Sequence, residues 1–132
     1  MSISESHDAR TDFDRWITAE FARSGAFTVL VVLVDIGERM VRPLCSTYFS
    51  VIGDETDWDE IVILFAGSGM DWGGAAFFPV TSPNRLPLDN PTARARLRQL
   101  EARVDADRLV LNEGYFFDRQ GRGLKIEEIF VR

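Results

Sequence analysis

The sequence predicts an α+β domain in which a mainly antiparallel sheet of about six strands is covered by two amphipathic helices. Three observations carry this reading. Apolar runs of strand length are separated by short, turn-rich connections, which suit neighbouring antiparallel pairs better than long crossovers. Two other segments repeat apolar residues at helical spacing. The resulting order, helix, two strands, two strands, helix, then two or three strands, is that of a mixed chain with a single sheet.

Met1 to Arg10 is polar and aperiodic, so a flexible tail is expected there, carrying the only histidine, His7. The remainder, 11–132, has the length of a single domain with a core of its own. Thr11 and Asp14 stand at capping-box spacing, and Phe13, Trp16, Ile17 and Phe21 follow as one apolar stripe. A helix over about Asp12 to Ser24 follows, stopped by Gly25, with its aromatic stripe laid on the sheet.

Ala26 to Ile36 is rich in valine and does not alternate, the pattern of a central strand buried on both faces. After a turn at Gly37 to Arg39, Leu44 to Ile52 alternates Cys45, Thr47, Phe49 and Val51 against Ser46, Tyr48 and Ser50, and the two strands read as a hairpin. Ile61 to Phe65 is short, apolar and β-branched, and Ala75 to Val80 resembles it; together they read as a second hairpin around Gly67, Gly69, Gly73 and Gly74. A proline-rich connection leads to Asn90 as a cap and Pro91 at the first helical position. Ala93, Leu97, Leu100 and Val104 then mark a second helix to about Ala106. Arg108 to Asn112, Tyr115 to Phe117 and Leu124 to Val131 read as strands, with Asn112 to Gly114 either a tight turn or a bulge.

Composition narrows the function classes. Hydrophobic residues at 45% and charged residues at 27% are those of a folded globular chain. A net charge of -6 disfavours nucleic acid and anionic membranes and favours basic partners. The longest apolar run falls short of the ~20 residues a membrane-spanning helix needs. A lone cysteine, Cys45, and the lack of a secretory pattern make the cytoplasm the expected compartment.

Two stretches stand out as sites. Asp54, Glu55, Asp57, Asp59 and Glu60 surround Trp58 with no positive charge among them, which fits docking onto a basic protein. Their order does not match an EF-hand calcium loop, and no metal or cofactor is expected. The second is the glycine-rich loop with Asp71, Trp72 and Gly73, to which Asn112, Glu113 and Tyr115 would add polar groups should the two loops meet; it lacks both the P-loop and the dinucleotide pattern. No catalytic set emerges, because Cys45 has no credible base beside it and His7 no rigid support. The best reading is a small, acidic, noncatalytic interaction protein of immunity or regulatory type. The alternative is a small-molecule binder or enzyme using the Gly67 to Gly74 loop, and the surplus aromatics Phe77, Phe78, Phe116 and Phe117 fit a homodimer.

Overall fold

The computed structural model describes residues 10–38 and 40–124. Most of the expected tail, with His7, and all but the first residue of the expected strand Leu124–Val131 lie outside the described residues. The elements are α1 (Asp12–Ser24), β1 (Phe27–Ile36), β2 (Val41–Val51), α2 (Trp58–Ala66), β3 (Gly74–Val80) and α3 (Asn90–Ala106). A 3-10 segment, Arg108–Glu113, then leads to β4 (Tyr115–Asp118) and β5 (Gly123–Leu124). All neighbouring strands are antiparallel, in the order β2-β1-β3-β4-β5. The α+β architecture stands, with five strands among the described residues against the expected six or so.

β1 is the centre of the fold. Its first eight residues are buried, and alternation sends them into two cores. Phe27, Val29, Val31 and Leu33 face α1 and α2, while Leu30, Val32 and Val34 face α3 and the 3-10 segment. Helices therefore cover both faces. Phe13 from α1 anchors the first core, its ring 4.9 Å from Phe77, 5.0 Å from Trp58 and 5.4 Å from Phe117. Each such fully buried aromatic contributes about 1.5–3 kcal/mol of hydrophobic stabilisation.

α1 forms where its sequence signals place it. The Thr11 hydroxyl accepts the Asp14 N–H at 2.9 Å and the Asp14 carboxylate accepts the Thr11 N–H at 3.1 Å, completing the capping box. Gly25 ends the helix at φ 74°, a conformation that a residue with a Cβ resists. α3 is likewise as expected, except that Asp89 and not Asn90 is its cap, accepting the Thr92 N–H at 2.8 Å.

Two expected strands are instead helical. Ile61 to Phe65 belongs to α2: Asp57 caps it by accepting the Glu60 N–H at 2.9 Å, and Trp58, Ile61 and Phe65 form its buried stripe. There is accordingly no hairpin across Ile61 to Val80, and β3 pairs with β1 and β4. Arg108 to Asn112 lies in the 3-10 segment, where Asp107 accepts the Leu109 N–H at 2.9 Å and Val110 and Leu111 plug the second core. The segment stops at Gly114, where a Cβ would stand 2.6 Å from the Phe77 carbonyl oxygen, so the chain passes β3 too closely for a side chain.

Candidate functional site

The acidic stretch is built around an anchored tryptophan. Trp58 is 4% exposed, its backbone N–H donates to the Asp14 carboxylate at 2.7 Å, and its indole N–H donates to the Arg119 carbonyl at 2.9 Å. Asp14 thus serves the first turns of α1 and α2 together, which fixes where α2 begins. Trp58 holds the stretch down and leaves the contact surface to its neighbours. Asp54, Glu55, Asp57, Asp59 and Glu60 are all exposed, and among the described residues none is ion-paired to a basic side chain. Asp59 and Glu60 sit in the first turn of α2, where the partial positive charge of the helix end favours carboxylates, so the helix tolerates this concentration of like charge.

The outward face of α2 continues the surface in apolar residues. Ile63 is 73% exposed and Leu64 48%, one turn beyond Asp59 and Glu60. Ile52, at the end of β2, is 75% exposed on the same flank. Two open clefts separate α2 from β2. One, of about 410 Å³, is lined by Ser50, Ile52, Gly53, Glu55, Thr56 and Glu60. The other, of about 370 Å³, is bounded by Cys45 and Thr47 on the strand and by Leu64, Ser68 and Met70 on and after the helix. Burial pushes the Cys45 thiol above its usual range, and the hydrogen bond with Ser68 opposes that only in part. A protonated thiol is a wall of the cleft and a poor nucleophile. Among the described residues no three His, Cys, Asp or Glu side chains are gathered as metal ligands would be.

Known proteins add no identity to this geometry. No family model, curated protein or solved structure matches the chain. Function must therefore be argued from the surface itself.

The residues of the second candidate are spread apart. Trp72 is 3% exposed in the first core, its ring 5.2 Å from Phe65 and 6.0 Å from Trp58. Arg119 lies over the Trp72 ring at 5.2 Å and reaches the fully solvated Asp71 carboxylate at 3.4 Å. Gly73 donates its N–H to the Val34 carbonyl at 2.7 Å, stitching the loop to β1. Glu113 pairs with Arg103 at 2.6 Å, Asn112 is exposed beside it, and Tyr115 is half-exposed with its ring 4.7 Å from Trp16. The β3-β4 ladder runs from Gly74 opposite Asp118 to Phe77 opposite Tyr115. Asp71 precedes one end and Glu113 the other, so the structure does not bring the two carboxylates together.

Sequence reasoning found the five carboxylates and missed Ile63, Leu64 and Met70, which are read as strand core or loop when the helix is not recognised. One signal was available. Asp57 and Glu60 stand at cap and third-position spacing, followed by Trp58, Ile61 and Phe65 at helical intervals. No helix among the described residues is long and apolar enough to cross a membrane.

Proposed function

We propose that this protein is a noncatalytic binding partner that docks a basic protein surface through α2 and the loop before it. The observation that carries the proposal is the composition of α2. From Ile61 to Ala66 the helix is apolar on every side, which in a folded domain calls for burial all round. Here its outer face is left open at Ile63 and Leu64, beside five carboxylates that form no ion pair with a basic side chain among the described residues. An apolar centre rimmed by charge of one sign has the anatomy of a recognition surface. The apolar part supplies affinity on burial, and the charge speeds encounter and rejects acidic competitors. A net charge of -6 gives the long-range field the same sign as the patch.

The test is site-specific photocrosslinking in extract from the protein's own source, with a benzophenone side chain at Ile63 and, as control, at Arg98 on the exposed face of α3. A basic protein should be captured from position 63 and not from 98, and capture should be lost when Glu55→Lys and Asp59→Lys are combined. Equal capture from both positions, or capture that survives the double charge reversal, overturns the proposal. Asp57 is left intact because it caps α2.

A further inference from the structure

We infer that the partner's docking segment is an extended strand that adds to the open edge of β2, carrying a Lys or Arg four residues before an apolar side chain. This rests on the docking function proposed above and specifies how the partner is held. Among the described residues β2 is the outermost strand of the sheet, so alternate backbone N–H and C=O groups point away from β1 with no described strand beside them. Chains commonly blunt such an edge with proline or a bulge, and this one does so only in its first half. Pro43 and the register shift opposite Leu33 and Val34 disturb Val41 to Leu44, whereas Cys45 to Val51 keeps unbroken register against β1. Among the described residues seven residues of regular edge remain open, enough for a typical strand.

The clefts beside that edge define the side chains of the added strand. On the face that carries α2, a residue opposite Cys45 and Thr47 meets the apolar cleft under Leu64 and Met70. A residue opposite Val51 stands between Ser50 and Ile52, the chain residues that line the cleft of Glu55 and Glu60. Thr47 and Val51 are four residues apart on one face, about 13 Å along the strand, so one extended segment reaches both clefts with alternate side chains. Antiparallel addition brings the segment's N-terminal half to the Val51 end, which places the basic residue first. Main-chain pairing supplies affinity in such recognition, and the two clefts supply specificity.

The probe is a blocked peptide, Thr-Lys-Thr-Lys-Thr-Val-Thr-Leu-Thr, titrated into the isotope-labelled protein and followed by amide chemical shifts. Two further peptides carry N-methyl groups on every other amide, one in each phase, and a fourth has Glu for Lys. Strand addition predicts shifts at the Cys45 to Val51 amides and a loss of about tenfold in affinity for one N-methyl phase only, because successive amides of a strand point to opposite sides. Binding that needs lysine but is indifferent to phase, or that leaves the β2 amides unmoved, overturns strand addition and leaves acidic docking standing. Binding equally strong with Glu for Lys, or no binding of the lysine peptide at millimolar concentration, overturns both.

Discussion

Replacing Asp14 with alanine should cost far more than the loss of an ordinary helix cap, because one carboxylate serves two helices. Its Oδ2 accepts the Thr11 N–H at 3.1 Å and its Oδ1 accepts the Trp58 N–H at 2.7 Å, both in partly buried surroundings. The capping-box half of this is worth about 1 kcal/mol. The second bond joins a charged acceptor to a backbone donor at the start of α2, and stripping that donor of its partner costs about 1.5–2 kcal/mol. Together Asp14→Ala should destabilise the protein by about 2.5–3 kcal/mol, or roughly 8–12 °C in melting temperature for a chain of this size. Thr11→Ala, which removes only the cap hydroxyl, should cost about 1 kcal/mol. Urea unfolding followed by tryptophan fluorescence gives both numbers, and hydrogen exchange at the Trp58 amide reports the second bond directly. If Asp14→Ala costs no more than Thr11→Ala and the Trp58 amide exchanges as in the wild type, the shared-carboxylate account of how α2 is positioned is wrong.

Three further outcomes follow from the geometry. Trp72→Ala removes a 3% exposed indole from the first core and should cost about 3–5 kcal/mol in the same unfolding assay; a loss under about 1 kcal/mol would show that the loop folds independently of the core. The Asp89 carboxyl is held below its ordinary value by hydrogen bonds from the Thr92 side chain and backbone N–H, so its contribution is complete above the unfolded-state value and fades as pH falls through the lower folded-state value. The stability gap between wild type and Asp89→Asn should therefore shrink below about pH 4, and a gap constant through that range would contradict this. The raised Cys45 thiol should react slowly with a disulfide reagent near pH 8 and faster as pH rises, and reaction at the rate of a small free thiol would refute its burial in the cleft wall.

How much could be read from the sequence depended on whether the deciding interaction was local. The ends of α1 were legible because Thr11, Asp14 and Gly25 act within the segment they bound. β1 was legible because an unbroken valine-rich run is what burial on two faces demands. α2 was not, for a physical reason: its exposed face is itself apolar at Ile63 and Leu64, so Ile61 to Phe65 in isolation is an unbroken apolar run with the length and branching of a strand. Its cap, Asp57, lies inside the acidic stretch, where the run of like charge hides the capping signal. Val110 and Leu111 misled in the same way, being core plugs on a 3-10 turn. The acidic residues of the candidate surface could be seen, since charge is visible in sequence. Its apolar half could not, because the exposure of Ile63 and Leu64 is a property of α2 lying on the sheet. The Trp58 to Asp14 bond spans 44 residues and leaves no local trace.

The proposal that α2 and its acidic loop recruit a basic partner is tested most directly by association kinetics. The protein captured from position 63 would be mixed with wild type and with the combined Glu55→Lys and Asp59→Lys variant across a range of ionic strength. The account predicts a wild-type association rate that falls steeply with salt, and a variant rate at least about tenfold slower at low salt and nearly independent of it. Association equally fast and equally salt-sensitive in both proteins would contradict the claim that this surface is where the partner lands.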